Sequence, residues 1–157
     1  MGLFKRLFGG KQSNLAETIK MTKLFIGPQL LTLEKENIRF TICNKSLVYI
    51  VAAAEILGGH KLQLSDVDRL LMSVSDVPEV QERFRKSLVL ILDQPSLFTG
   101  VYHEMHKEAH LDINNDNATF LIDQAKTKKR IVAAMFKKGD YVPTPFDRGG
   151  GGITLVC

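Results

Sequence analysis

Apolar residues recur at helical spacing along most of this chain. The clearest stripe follows the helix-starting pair Ser75-Asp76 and comprises Val77, Val80, Phe84, Leu88 and Ile91. The run from 45 to 57 is apolar on nearly every side, which is typical of a central helix that other helices cover. Together these patterns predict a mainly α fold, a bundle of about five or six helices.

Caps and helix breakers predict where these helices begin and end. The first helix is expected to begin at Asn14 and to end at Gly27-Pro28, and the central helix is expected to end at Gly58-Gly59. The remaining helices are expected over residues 65–74, 75–91, 95–111 and 118–138.

One stretch has the period of a β-strand instead. Ile38, Phe40 and Ile42 alternate with polar residues, and the polar run 34–37 separates them from Leu31–Leu33. We therefore expect a small β-hairpin at an edge of the bundle, which makes an α+β fold the alternative class. A helix that runs straight through this stretch is the competing prediction.

Both ends of the chain differ from its body. A helical N-terminus would place Leu3, Phe4, Leu7 and Phe8 on one side and Lys5 and Arg6 on the other. At the other end, the β-prone residues Ile153, Leu155 and Val156 follow the hinge Gly149–Gly152. The pattern therefore divides the chain into an amphipathic basic segment with a glycine hinge (1–13), a helical domain (14–140) and an extended tail with an apolar end (141–157).

These two ends predict contacts beyond the domain. An amphipathic basic segment suits an anionic membrane surface or a groove on a partner, and an apolar terminal strand suits donation to a neighbouring copy. The partners we expect are accordingly another protein, a second copy of the chain, or an anionic membrane. Docking of both ends on the chain's own core is the alternative.

Composition indicates the number of domains and the cellular compartment to expect. With 157 residues, of which 45% are hydrophobic and 24% charged, the chain is typical of one globular domain. Its two cysteines, Cys43 and Cys157, favour free thiols in a reducing compartment over a disulfide-stapled secreted fold. The longest apolar run, 47–54, is shorter than the roughly twenty residues that span a bilayer. We expect a cytoplasmic protein, with the membrane periphery as the alternative.

A cationic ridge on the last predicted helix is the strongest charge feature. Its members are Lys126, Lys129, Arg130 and Lys137, in a chain whose formal net charge is +4. Such a ridge suits phosphates of nucleic acid or of lipid headgroups, and a solvated helix face is the plainer interpretation. No aromatic residues alternate with these cations, so nucleic-acid binding would be non-specific.

Histidines supply the best candidate for metal chemistry. His103, His106 and His110 share one face of the helix predicted over 95–111, where they would bind Zn²⁺ or Ni²⁺ weakly. The spacing departs from His-Glu-x-x-His, and a polar flank of the helix is the plainer interpretation. Cys43 and His60 could form a nucleophilic pair only if the fold joined them, and neither lies in a catalytic motif.

The sequence therefore favours a non-enzymatic interaction or assembly protein that acts through its hinged apolar ends and needs no cofactor. A nucleic-acid-associated helical protein that uses the Lys/Arg ridge is the second hypothesis. A metal-dependent enzyme built on the histidine stripe is the third.

Overall fold

A computed structural model describes residues 14–38, 44–115 and 118–138. These residues form six helices and contain no strand, which confirms the predicted mainly α bundle. The helices are α1 (Leu15–Lys35), α2 (Asn44–Gly58), α3 (Leu64–Val74), α4 (Pro78–Leu92), α5 (Pro95–Asn115) and α6 (Phe120–Lys138).

Helix α2 is the centre of the bundle, as its all-round apolar sequence predicts. Every residue from Ser46 to Ala54 is buried, because α1 and α5 pack against α2 most extensively and α3 and α4 cover further parts of it. The small side chains of Ala52–Ala54 let these neighbours approach closely. The apolar faces of α1, α3, α4, α5 and α6 all join the one core built around α2.

Helix α1 does not end at Gly27-Pro28, so that predicted boundary is wrong. The ring of Pro28 lies on the exposed side of the helix, where water can satisfy the carbonyl that loses its N–H donor. Gly27 also lacks the Cβ that would clash with the proline ring in a helical conformation. The hydroxyl of Thr32 donates to the carbonyl of Pro28 at 2.9 Å, one turn later.

The predicted hairpin is also wrong, because Leu31–Leu33 lies in the last turns of α1. Asn37 adopts a left-handed conformation with φ of 57°. The Asn37 N–H then donates to the Glu34 carbonyl at 3.0 Å and the Ile38 N–H to the Leu33 carbonyl at 2.8 Å. This pair of bonds, with Ile38 and Leu33 in one apolar cluster, is a Schellman motif that ends the helix. Residues 39–43 lie outside the described residues.

Helix α1 begins after its predicted cap Asn14 and α2 ends at Gly58 as predicted, whereas several other boundaries differ from the prediction by one to four residues. Helix α3 begins at Leu64, one residue before the predicted start, and the backbone N–H of Gln63 donates to the Asp66 carboxylate at 3.3 Å. Helix α5 continues past Leu111 to Asn115, which brings Asp112 into the helix. Within the described ranges, no helix is both long enough and apolar enough to cross a membrane.

Candidate functional site

The outer face of α4 is the surface that best fits a binding function. Its inner face packs on the core and consists of four buried residues, Phe84, Ser87, Leu88 and Ile91. Its outer face exposes Val89 by 57% and Leu90 by 53%, and Leu92, farther round the helix, is 46% exposed. Scattered apolar residues are common on protein surfaces, but a contiguous apolar patch marks a contact site.

A shallow groove of about 560 Å³ lies on this face, and its exposed lining is almost entirely apolar. It is lined by Val89 and Leu90 together with Glu82, Arg85 and Lys86. Lys86 Nζ lies 3.0 Å from Glu82 Oε1, one turn earlier on the same helix. An apolar strip with charged edges resembles the core and rim of a protein–protein interface, whereas small molecules need a deeper enclosure. We refer to residues 82–93 on this side as the α4 face.

A polar cluster joins the loop after α2 to α5. Lys61 Nζ donates to the hydroxyl of Tyr102, lies 4.2 Å from the centre of that ring, and lies 3.8 Å from Glu55 Oε2. The Leu62 N–H donates to the same Glu55 oxygen at 3.2 Å. The hydrogen bond to Tyr102 is the main cause that raises the pKa of Lys61, and burial is the main cause that raises the pKa of Tyr102. These bonds hold the loop against α5.

A second polar network crosses the interior. The hydroxyl of Tyr49 on α2 donates to Asp112 Oδ2 on α5 at 2.6 Å and accepts a bond from Gln29 Nε2 on α1 at 3.3 Å. The backbone N–H of Leu121 donates to Gln29 Oε1 at 2.9 Å, and that of Phe120 donates to Asp112 Oδ2 at 3.3 Å. The network therefore links four helices and satisfies backbone donors in the first turn of α6.

Burial sets the acid–base behaviour of this network. Desolvation raises the pKa of Asp112, against the lowering effect of the hydrogen bond from Tyr49. Desolvation also raises the pKa of Tyr49, with a further increase from its bond to Asp112. Asp112 borders a cleft of about 220 Å³ between α5 and α6, which Glu108, Asp123 and Lys128 also line. Oδ2 of Asp112 accepts hydrogen bonds from both Tyr49 and Phe120, so this carboxylate joins α5 to α2 and α6.

The predicted histidine stripe lies on the outside of α5. His103 and His110 are exposed, whereas His106 is half-buried with its ring centre 5.8 Å from that of Tyr102. Desolvation lowers the pKa of His106, and the nearby charges of Lys61 and His110 lower it further. In the part of the chain that the structure describes, no group of three His, Cys, Asp or Glu residues is placed to hold a metal ion. Metal binding by the three histidines stays a prediction.

The predicted cationic ridge is partly occupied by a contact within the domain. Lys126 Nζ lies 2.8 Å from Glu36 Oε2, so this side chain pairs α6 with the end of α1. Arg130 and Lys137 are exposed and Lys129 is half-exposed. Binding of anions by the ridge stays a prediction, with Lys126 the member that is already paired.

The remaining candidates from the sequence lie outside the described residues. These are Leu3, Phe4, Lys5, Arg6, Leu7 and Phe8 in the first segment, Ile153, Leu155 and Val156 in the tail, and Cys43. Of the proposed nucleophilic pair, only His60 is described, and its Nδ1 lies 3.0 Å from the carbonyl oxygen of Gly58.

The exposed side chains of the α4 face were not among the predicted sites, although the sequence carries a signal for them. Residues 88–92 read Leu-Val-Leu-Ile-Leu, and five consecutive apolar residues surround a helix on all sides. Because α4 lies at the edge of the bundle, Leu88 and Ile91 are buried and the other three are exposed. No protein-family model matches the chain, and neither a curated protein nor a solved structure shows significant similarity to it.

Proposed function

We propose that this protein is a non-enzymatic interaction and assembly protein whose helical domain binds a protein partner through the α4 face. The observation that carries this proposal is the exposure of the neighbouring side chains of Val89 and Leu90 on α4, beside Arg85 and Lys86. Apolar side chains with a charged border favour a protein surface as the ligand, since both parts then find complementary groups.

The exposed area is suited to a reversible contact. Full burial of a Leu or Val side chain contributes about 1.5–3 kcal/mol, so covering the exposed half of Val89 and of Leu90 contributes about 1 kcal/mol each. Association itself costs several kcal/mol. The α4 face therefore gives a modest affinity, which additional contacts of the same assembly would increase.

The chain ends are the second part of the proposal, and their support comes from the sequence. Leu3–Phe8 is followed by the glycine hinge Gly9-Gly10, and Ile153–Val156 is preceded by the hinge Gly149–Gly152. Each segment would therefore add a tethered contact to that of the α4 face. Contacts that are linked in one chain strengthen each other through effective concentration, even when each is weak. An anionic membrane is one surface that Lys5 and Arg6 would suit.

Photocrosslinking inside cells that naturally make the protein tests the role of the α4 face. Benzoylphenylalanine would replace Leu90 in one form of the full chain and Leu31, which is 50% exposed on α1, in the control form. We expect adducts from position 90 and few from position 31. A Val89→Asp substitution should remove the adducts from position 90, because a charge in the apolar strip opposes burial.

The pattern of adducts decides the proposal. Equal yields at positions 90 and 31 would mean that the α4 face has no special role, and the proposal would fail. Adducts at position 90 that persist with Val89→Asp would count against it in the same way, since they would reflect collisions and not docking.

A further inference from the structure

The apolar centre of the α4 face lies between a cation, Lys86, on one side and a carboxylate, Asp93, on the other. Lys86, Val89, Leu90 and Asp93 are spaced i, i+3, i+4 and i+7, so they lie on one side of the helix, and all four are exposed. Val89 and Leu90 form the centre, with Lys86 toward the start of the helix and Asp93 at its end. Such an arrangement is complementary to itself when it is reversed.

An antiparallel copy of the helix would satisfy both charges at once. With a two-fold axis between positions 89 and 90, Val89 faces Leu90 of the second copy and Lys86 faces Asp93 of the second copy. Lys86 and Asp93 each lie about 5 Å from that midpoint along the helix axis, so the register is the same on both sides. We propose that the α4 face binds a second copy of this chain in an antiparallel, two-fold pair, an inference that rests on the proposed function and names its partner.

The end of α4 is a suitable place for a cation. The last turn of α4 contains no basic residue, and Asp93 caps it. The negative end of the α4 dipole disfavours this carboxylate, whereas the start of α5 at Pro95 favours it, so a cation beside Asp93 is attracted chiefly by the carboxylate itself. Lys86 of the second copy would contact both the Asp93 carboxylate and the helix end.

Lys86 can change partners at little cost. Within one chain it pairs with Glu82 at 3.0 Å, and both side chains are about two-thirds exposed, at 70% and 67%. Exposed pairs of this kind contribute little to stability because water and salt screen them. A single helix face is also small compared with the area that stable dimers bury, so the dimer is expected to be weak and dependent on concentration.

Analytical ultracentrifugation of the purified full chain, from low to high micromolar concentration, tests the inference. We expect the mass to increase toward twice that of the chain, and Leu90→Glu to remain monomeric at every concentration. Leu31→Glu is the matched control, since Leu31 is exposed to a similar degree on another helix, and it should dimerise like the parent. Circular dichroism would show that each variant keeps its helical content.

A charge exchange tests the register. Lys86→Asp and Asp93→Lys should each weaken the dimer by about tenfold or more, because each places like charges together twice across the two-fold axis. The double variant Lys86→Asp with Asp93→Lys should restore most of the parent affinity. A double variant no tighter than the single variants would overturn the proposed pairing.

Failure of this inference is distinguishable from failure of the proposed function. A chain that stays monomeric at every concentration, or a dimer that persists in Leu90→Glu, would overturn the second-copy inference. If position 90 still yields specific crosslinks to another protein in cells, the α4 face remains a docking surface with a different partner. If position 90 yields no specific crosslinks, the proposed function fails as well.

Discussion

Replacing Gly58 by alanine should destabilise the fold, because Thr18 of α1 packs directly against this residue of α2 and leaves no room for a Cβ. A Cβ built on Gly58 would lie 2.5 Å from Thr18 Oγ1 and 2.9 Å from Thr18 Cγ2, with His60 Cε1 at 3.2 Å. Thr18 is fully buried, so it cannot swing into solvent to relieve the overlap. Contacts below 3.0 Å force the helices or the threonine to shift.

The magnitude follows from two opposing effects. Alanine is better than glycine inside a helix by about 0.8–1.0 kcal/mol, and less than that at the final residue that Gly58 occupies. Overpacking of a well-packed core costs about 1–3 kcal/mol. We therefore expect Gly58→Ala to lower the free energy of unfolding by about 1–2 kcal/mol, measured by urea denaturation at constant pH.

Two further variants separate this overlap from other effects of the substitution. Gly100→Ala on α5 is the matched control, since a Cβ there meets nothing within 4 Å, and it should stabilise the protein by about 0.5–1 kcal/mol. Thr18→Ala removes both overlapping atoms, so the double variant with Gly58→Ala should be more stable than the sum of the single effects by about 1 kcal/mol. Additive effects, or a Gly58→Ala variant as stable as the parent, would refute this account of the helix contact.

The other predictions concern the polar groups. Tyr49→Phe should lower the free energy of unfolding by about 1–3 kcal/mol in urea, because Asp112 loses a buried donor. Burial raises the pKa of Asp112 above 3.8. The contribution of Asp112 to stability is therefore present at low pH and is lost as pH rises through its folded-state pKa. Asp112→Asn should abolish this part of the dependence of unfolding free energy on pH. The pKa of His106, measured by NMR, should lie below 6.5 and rise in Lys61→Met, which removes a nearby positive charge. Stability linked to His106 is present above pH 6.5 and is lost as pH falls through its folded-state pKa. A His106 pKa that is not lowered in the NMR titration would contradict both statements.

Local sequence patterns predicted most helices, because in each one the apolar residues recur every three or four positions, as the turn of a helix requires. The errors occurred where a local signal competed with tertiary packing. Pro28 reads as a helix end, yet an exposed proline after a glycine is tolerated when Phe25, Ile26 and Leu33 hold both halves of the helix on the core. Asn37 carried the correct signal, since asparagine accepts the left-handed conformation that ends a helix, but the alternation of Ile38, Phe40 and Ile42 favoured a strand.

The sites could be predicted less well, because they depend on distances in the fold. Tyr49 and Asp112 are separated by 63 positions, and Lys61 and Tyr102 by 41, so no local pattern connects them. The helical spacing of Val89 and Leu90 places them on one face but does not say whether another helix covers it. That depends on the order in which α3, α4 and α5 pack around α2, which spacing along the chain does not determine.

The position of α4 in the bundle allows Leu90 to be substituted without a change in the interior contacts, so binding and folding can be tested separately. The network of Gln29, Tyr49 and Asp112 joins α1, α2, α5 and α6 and does not involve α4. Helix α4 is held through its inner stripe, from which the half-exposed Leu90 is absent. A charge at Leu90 meets water in the monomer and would be buried only in a complex, where an unpaired charge is costly. Loss of association in Leu90→Glu with unchanged unfolding free energy would therefore locate the contact on this face, whereas parallel loss of both would indicate that the helix itself had been disrupted.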